Sequence, residues 1–338
     1  MNTLSELQST VTQLSARGKG LLAADESVAT ITKRLQAIGV ESTEETRRTY
    51  RDLLLSATKI NEYLSGVILF EETLNQTALN GTPFAKLLAE NNIVPGIKVD
   101  KGLIAWSTAN PEQVTQGLDG LAERLQKYKS QGARFAKWRA VYTVGEHTPS
   151  KGVNSFNAIG LARYAQLCQD NGIVPIVEPE ILIDGTHTIE QCEKVSEKVL
   201  TKVFKAMRKY GVILEYIVLK PSMVIAGKKC VKQSTVKEVA EATLRVLKRT
   251  VPAAVPTINF LSGGQTPLQA TQHLQAMNAM GRAPWELSFS FARALQEPAM
   301  KAWKGDAANA AAGQKALYHR AKCNCAARYA NFSDCSRR

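Results

Sequence analysis

The chain has 338 residues, 44% of them hydrophobic and 22% charged, which is typical of a folded globular protein. Its net charge of +13 suits an anionic partner such as a nucleic acid, a membrane surface or a phosphorylated small molecule. The basic residues form no dense tract and no apolar stretch approaches the roughly 20 residues of a membrane span, so neither nucleic acid nor a membrane is the expected partner.

The six cysteines are scattered without a CxxC pair. This usage is typical of a reduced, intracellular protein, and it predicts a cytoplasmic location. Cys323 and Cys325 are too close together for a disulfide bond or a standard zinc site, and we expect them to lie on the last helix.

Leu4, Leu7, Val11 and Leu14 have helical spacing and predict an amphipathic N-terminal helix over residues 3–17. Short apolar runs then recur, and each is followed by a charged or glycine-containing segment and a helix. The predicted strands are Gly20–Ala24, Val67–Phe70, Val94–Val99, Arg134–Trp138, Ile173–Val177, Leu214–Leu219, Thr257–Leu261 and Glu286–Phe289. A helical C-terminal tail is expected over residues 305–338.

Several helices have recognisable start and stop signals. Asn110-Pro111 predicts the start of a helix that ends at Gly132, since proline favours the first helical position and glycine the position past the end. Capping boxes, which satisfy the backbone donors at a helix start, are predicted at Thr188 with Gln191, at Thr235 with Glu238 and at Thr266 with Gln269.

Eight strands that alternate with helices indicate an α/β fold with parallel strand pairing. An open doubly wound sheet and a closed barrel both satisfy this pattern. The length of about 300 residues for eight units favours the barrel, and no G-x-G-x-x-G follows the first strand. We therefore predict a single-domain (β/α)8 TIM barrel over residues 1–338.

Charged residues stand at the ends of these strands, which is where barrel enzymes keep their catalytic groups. Alternate residues of a strand share a face, so Lys137 should point the same way as Arg139, and Glu178 the same way as Glu180. Lys98 should likewise share a face with Asp100. In a barrel these side chains would surround one pocket, together with Asp25 and Lys220.

Lys220 lies between Leu219 and Pro221, where partial desolvation should disfavour its charged form. A nearby cation such as Lys137 would act in the same direction and make Lys220 a candidate nucleophile for a carbonyl. A lysine that simply reaches solvent is the alternative. Glu178 and Glu180 are candidates for general acid and base, with a structural ion pair as the alternative, and Asp25 has the same ambiguity.

Ser262-Gly263-Gly264 follows the seventh strand, where exposed backbone N–H groups can bind an anion, although many such triplets are simple turns. With Arg293 after the eighth strand it matches the usual phosphate site of barrels. Candidates for a second phosphate are Lys33, Arg34 and Lys98. The four histidines have no i, i+4 pair and are expected in surface loops, so no metal site and no cofactor are predicted.

The sequence closely resembles the class I, Schiff-base family of fructose-1,6-bisphosphate aldolases over about residues 5–328. The matching segments are residues 22–27, 96–102, 135–139, 145–150, 172–182, 219–221, 260–265 and 293–296. The resemblance implies a (β/α)8 barrel, a homotetramer, and reversible cleavage of fructose 1,6-bisphosphate to dihydroxyacetone phosphate and glyceraldehyde 3-phosphate.

The resemblance also implies individual roles. Lys220 would form the Schiff base, Glu178 would serve as acid and base, and Asp25 would orient or deprotonate the C4 hydroxyl. Lys137 and Glu180 would tune Glu178, with Lys137 also contacting the substrate. The C1 phosphate would be held by Ser262, Gly263 and Arg293, and the C6 end by Ser27, Lys33, Arg34, Lys98 and Arg139.

Two features depart from the family pattern. Many members end in a tyrosine that assists proton transfer, whereas this sequence ends in Arg338 after a short tail like that of bacterial members. Ala292 stands where the family usually has glycine; it keeps its N–H but has less backbone freedom. Two alternatives stay open: the same chemistry mainly on sedoheptulose 1,7-bisphosphate, and a non-catalytic scaffold that binds polyanions.

Overall fold

A computed structural model describes residues 3–108 and 110–332. The strands are β1 Gly20–Ala24, β2 Leu64–Leu69, β3 Val94–Lys98, β4 Leu103–Ser107, β5 Asn110–Thr115, β6 Phe135–Tyr142, β7 Val174–Ile181, β8 Val218–Leu219, β9 Thr257–Phe260 and β10 Glu286–Phe291. The α-helices are α1 Thr3–Leu14, α2 Val28–Gln36, α3 Glu44–Leu55, α4 Glu71–Leu74, α5 Phe84–Glu90, α6 Leu121–Ser130, α7 Lys151–Asp170, α8 Ile189–Lys209, α9 Val236–Thr250, α10 Pro267–Ala279, α11 Arg293–Trp303 and α12 Ala310–Arg328.

Eight of the strands close into a parallel barrel in the order β1-β10-β9-β8-β7-β6-β3-β2, and helices connect successive strands. The predicted (β/α)8 barrel is therefore confirmed and the open sheet is excluded. Some strand bounds differ from the prediction. The strand β7 extends to Ile181, so Glu178 and Glu180 lie within the strand rather than after it.

The apolar run from Leu214 is only partly a strand, because Leu214–Tyr216 forms a 3-10 turn and β8 contains only Val218 and Leu219. The buried amide of Gln169 on α7 explains the turn. It accepts a hydrogen bond from the Ile213 N–H and donates to the carbonyls of Ile213 and Tyr216. These backbone groups therefore have partners without joining the sheet.

The helix predicted from Asn110 to Gly132 is wrong in its first half. Residues 103–107 and 110–115 form the antiparallel hairpin β4–β5, and the helix α6 begins only at Leu121. The hairpin is fixed by tertiary contacts: the Glu112 carboxylate accepts a hydrogen bond from the Ser150 N–H at 2.8 Å. The Thr115 hydroxyl donates to the carbonyl of Arg139 at 2.7 Å. Such tertiary contacts outweigh the tendency of an Asn-Pro pair to start a helix.

The hydrophobic core has two parts. One packs the outer faces of the strands against the helices. The other fills the barrel lumen with inward side chains such as Leu21, Phe135 and Ile176, and α1 closes one end of the lumen with Leu7 and Val11. The predicted N-terminal helix is thus present, and it covers the end of the barrel at which the strands begin.

The three predicted capping boxes are present at the starts of α8, α9 and α10. The C-terminal tail contains the 3-10 turn Ala307–Asn309 and α12, and both Cys323 and Cys325 lie buried on α12 as expected. The end of the predicted tail, residues 333–338, lies outside the described residues. Within the described chain, no helix is long and apolar enough to cross a membrane.

Candidate active site

The alternation of side chains along each strand places charged groups inside the barrel. Phe135 points into the lumen, so Lys137 two residues later in β6 does the same and borders the cavity above the apolar lumen. Ile176 precedes Glu178 in the same way, and Val218 precedes Lys220. The apolar lumen therefore ends in a layer of ionisable side chains.

A cavity of about 800 Å³ opens above this layer. It brings together every residue that the sequence proposed for the site: Asp25, Ser27, Lys33, Arg34, Lys98, Lys137, Arg139, Glu178, Glu180, Lys220, Ser262, Gly263 and Arg293. Among all the lining residues, cationic side chains outnumber carboxylates by eight to six. The surplus of positive charge suits a ligand that carries more than one anionic group.

The centre of the cavity contains a continuous chain of ion pairs. The Nζ of Lys137 lies 2.8 Å from Oδ2 of Asp25 and 3.2 Å from Oε2 of Glu178. The other oxygen of Glu178, Oε1, lies 3.1 Å from the Nζ of Lys220. Lys220 is only 3% exposed, so the expectation that it reaches solvent freely is excluded and its predicted desolvation is confirmed.

The electrostatics of this chain favour fixed charges on Asp25 and Lys137. Burial by itself would raise the pKa of Asp25, but the charges of Lys137 and Lys220 outweigh it and hold that pKa well below its usual range. Burial would lower the pKa of Lys137, but the carboxylates of Asp25 and Glu178 outweigh it and raise that pKa. Lys137 is therefore a permanent ammonium between two carboxylates.

Two further pairs flank the centre and confirm the predicted side-chain directions. The guanidinium of Arg139 contacts the carboxylate of Glu180. Burial alone would lower the pKa of Arg139, but Glu180 outweighs it and raises that pKa. The Nζ of Lys98 lies 2.6 Å from Oδ1 of Asp100.

The two loops with predicted phosphate ligands border the same cavity. Ser262 and Gly263 follow β9, and Gly263 and Gly264 have φ angles of +50° and +83°, which glycine adopts without strain. Arg293 is the first residue of α11 and its side chain is exposed. Backbone N–H groups of such a loop together with an arginine form a common type of phosphate site.

The second group of cations lies along α2. Ser27 is the N-cap of this helix, Lys33 is exposed, and the guanidinium of Arg34 contacts the carboxylate of Glu26. Glu26 is also bound by Arg51, whose Nη1 lies 2.8 Å from Oε2 of Glu26. No sequence motif pointed to Arg51, because this residue stands in the middle of α3.

Ser290 is a second lining residue without a predicted role. It is 1% exposed, and its hydroxyl has no hydrogen-bond partner among the described residues. A buried hydroxyl of this kind that borders a cavity is available to a ligand. Ser290 lies within β10, near its carboxyl end, and a lone serine there is a weak signal in the sequence.

The histidines do not all lie in surface loops as expected. His147 is exposed, whereas His187 and His273 are buried, being 4% and 3% exposed. Burial lowers the pKa of His273 to about 4. The loop and helix positions of these two side chains gave no hint of burial, because it depends on the neighbouring elements.

Comparisons with known proteins match nearly the whole chain to one family. The family model "Fructose-bisphosphate aldolase class-I" matches residues 6–338. A probable class 1 fructose-bisphosphate aldolase of Xanthomonas campestris pv. campestris is 51% identical over 95% of this chain and 97% of its own length. The cytoplasmic isozyme of Cicer arietinum is 52% identical over 94% of this chain and 89% of its own.

Among solved structures, a fructose-bisphosphate aldolase from Plasmodium falciparum superposes with a TM-score of 0.96 at 48% identity. The match covers 98% of this chain and 96% of that one. The similarity of sequence and structure thus extends over nearly the whole molecule. The chain belongs to the class I fructose-bisphosphate aldolase family.

Proposed function

We propose that this chain cleaves fructose 1,6-bisphosphate reversibly to dihydroxyacetone phosphate and glyceraldehyde 3-phosphate, through a Schiff base on Lys220. The observation that carries the proposal is the contact of 3.1 Å between Nζ of Lys220 and Oε1 of Glu178 at the carboxyl end of the barrel. It places an amine beside a group that can accept and return its protons, in a site shielded from bulk water.

The first half of the reaction forms the iminium ion. Lys220 loses a proton to Glu178 and attacks the C2 carbonyl carbon of the sugar, which gives a carbinolamine. Glu178 then donates a proton to the C2 hydroxyl, which leaves as water while the nitrogen lone pair completes the C=N bond. Lys137 stays charged throughout and contacts the other oxygen of Glu178.

The second half breaks the bond between C3 and C4. Glu178, which is a carboxylate again once water has left, accepts the proton of the C4 hydroxyl. Glyceraldehyde 3-phosphate then departs as its aldehyde, and the electrons of the C3–C4 bond pass into the iminium to give an enamine. Asp25 is a weak base because its pKa is held low, so its fixed charge supports an orienting role toward the C4 hydroxyl. Protonation of the enamine at C3 and hydrolysis then release dihydroxyacetone phosphate and Lys220.

We assign the two phosphates to opposite sides of the cavity. Ser262, Gly263 and Arg293 are assigned to the C1 phosphate, because the loop after β9 offers backbone donors and the start of α11 offers an exposed guanidinium. The C6 end is assigned to Ser27, Lys33, Arg34, Lys98 and Arg139. Glu180 is assigned the role of tuning Glu178. Its carboxylate already binds the guanidinium of Arg139.

The assembly and the location are parts of the same proposal. Ile104 and Trp106 on the hairpin, with Phe156 and Ile159 on α7, expose 39–47% of their surfaces, and the rings of Trp106 and Phe156 lie 5.7 Å apart. An exposed apolar surface of this kind supports the predicted homotetramer. The relative from Cicer arietinum is a cytoplasmic isozyme, which supports the same location here.

Trapping the Schiff base tests the central step. The protein is incubated with dihydroxyacetone phosphate, reduced with borohydride and digested, and the adduct is located by peptide mass spectrometry. We expect the adduct on Lys220, none in Lys220→Ala, and an unchanged adduct in the exposed-lysine control Lys229→Ala. Protein that binds the phosphate but forms no adduct on any lysine would overturn the proposal. Comparing kcat/KM for fructose 1,6-bisphosphate and sedoheptulose 1,7-bisphosphate tests the choice of sugar.

A further inference from the structure

The phosphate-binding loop has a side-chain support behind it. Gln265 follows Ser262-Gly263-Gly264 and is 7% exposed. Its amide nitrogen donates to the Ser262 carbonyl at 3.0 Å and to Sδ of Met223 at 3.6 Å, while its backbone N–H donates to the same carbonyl at 3.0 Å. Gln265 therefore closes the loop through both its backbone and its side chain.

The far side of this amide is bound by a buried histidine. Nδ1 of His273 on α10 lies 2.5 Å from Oε1 of Gln265. The Ser262 carbonyl and the Met223 thioether can only accept hydrogen bonds, so the amide NH₂ must face them. The amide oxygen then faces His273, whose Nδ1 must carry the proton. The hydrogen-bonding partners thus determine both the amide orientation and the tautomer.

We propose that His273 is a positioning residue for C1-phosphate binding: it fixes the Gln265 amide, which in turn holds the Ser262-Gly263-Gly264 loop with its N–H groups toward the cavity. This inference rests on the proposed function, because it needs the loop to bind the C1 phosphate. It differs from a general packing role, since it concerns one phosphate site and not the other.

The position of His273 directs its hydrogen bond to Gln265, the residue that closes the loop. His273 is 3% exposed and lies on α10, which begins directly after Gln265 and the N-cap Thr266. With a pKa of about 4, His273 is neutral at ordinary pH and has one N–H to give. Removing this N–H leaves the buried Gln265 oxygen without a partner, so the amide can turn and release the Ser262 carbonyl.

The synthesis direction gives a test with its own internal control. Dihydroxyacetone phosphate carries the C1 phosphate and glyceraldehyde 3-phosphate carries the C6 phosphate, so the two KM values report the two sites separately. We expect His273→Phe, which keeps a ring but loses the donor, to raise KM for dihydroxyacetone phosphate on the order of tenfold. KM for glyceraldehyde 3-phosphate should stay within twofold.

His273→Leu is a second donor-free variant and covers the case in which the phenylalanine ring does not fit. His273→Asn restores an amide N–H near the position of Nδ1, and we expect it to recover most of the affinity for dihydroxyacetone phosphate. Thr271→Val is the matched control, because it removes the buried hydrogen bond of 2.6 Å to Asn324 from the same helix. It should lower the melting temperature and leave both KM values unchanged.

The outcomes separate this inference from the proposed function. If the wild type forms no Schiff base with dihydroxyacetone phosphate, the proposed function fails. The positioning role is wrong if the wild type is active but His273→Phe and His273→Leu raise the KM values for both substrates equally. It is also wrong if these variants leave both KM values unchanged. A failure of His273→Asn to recover affinity, in protein that melts like the wild type, would also contradict it.

Discussion

The carboxylate of Glu178 is shared between two lysines, with Oε1 3.1 Å from Nζ of Lys220 and Oε2 3.2 Å from Nζ of Lys137. Lys137 remains charged because Asp25 also holds it. The two oxygens of Glu178 therefore have different roles. Oε2 pairs with the permanently charged Lys137, and Oε1 can exchange protons with the amine of Lys220.

Glu178→Gln should lower kcat by about 10²–10⁴-fold, because the amide keeps the size of the side chain but cannot transfer protons. It should also destabilise the fold by about 3 kcal/mol, since two buried lysines lose their shared anion. Steady-state kinetics and denaturant unfolding measure the two effects. The exposed-carboxylate control Glu90→Gln should change neither, and an unaltered kcat in Glu178→Gln would contradict the assigned role.

Asp25→Asn should change how stability depends on pH. The pKa of Asp25 is lower in the folded than in the unfolded state, where it is about 3.9, so its carboxylate stabilises the fold fully above about pH 5. This stabilisation is lost as the pH falls through the folded-state pKa. Near pH 7 we expect the variant to be less stable by about 2 kcal/mol.

The difference in unfolding free energy between the wild type and Asp25→Asn should shrink as the pH is lowered from 5 toward 2. Denaturant unfolding at a series of pH values measures it. A difference that stays constant over this range would show that Asp25 is not held as a carboxylate in the folded protein.

The two phosphate assignments predict that variants at the two ends of the cavity weaken the binding of different substrates in the synthesis direction. Arg293→Met should raise KM for dihydroxyacetone phosphate by about 10–100-fold, because a charge-assisted hydrogen bond to phosphate is lost. Lys33→Met should instead raise KM for glyceraldehyde 3-phosphate. If both variants affect the same substrate, the assignment of the two ends of the cavity is wrong.

EDTA should not inhibit the enzyme, because the protonated Schiff base on Lys220 supplies the electron sink that metal-dependent aldol cleavage takes from a bound cation. Turnover is measured in untreated enzyme, after incubation with an excess of chelator, and again after a divalent cation is added back. Equal rates are expected in all three samples. Loss of activity with EDTA that is restored by the cation would exclude the proposed mechanism.

Ala292→Gly tests the departure from the family pattern in the phosphate loop. Ala292 has a φ angle of −100°, so no left-handed conformation demands glycine there. We expect KM for dihydroxyacetone phosphate to stay within twofold. Stability should fall by about 1 kcal/mol, because glycine has more freedom in the unfolded chain. A large gain in affinity in the glycine variant would show that the methyl group does hinder the loop.

Local patterns were sufficient for much of the barrel. Apolar runs and capping boxes act over a few residues, so the strands and the starts of α8, α9 and α10 could be predicted from them. The helix predicted from Asn110 failed for the opposite reason. Its first half is held as a hairpin by contacts to Arg139 and Ser150, which lie on other elements.

The sequence by itself determined which side chains point into the site, because alternation along a strand fixes the side of the sheet on which Lys137, Glu178 and Lys220 lie. Only the tertiary structure decided which of them are partners, since the distances across the lumen depend on how the strands are staggered when the barrel closes. It also decided the buried support of Glu26 by Arg51 and of Gln265 by His273. The direction of a side chain is a property of one strand, whereas a contact between distant side chains is a property of the closed barrel.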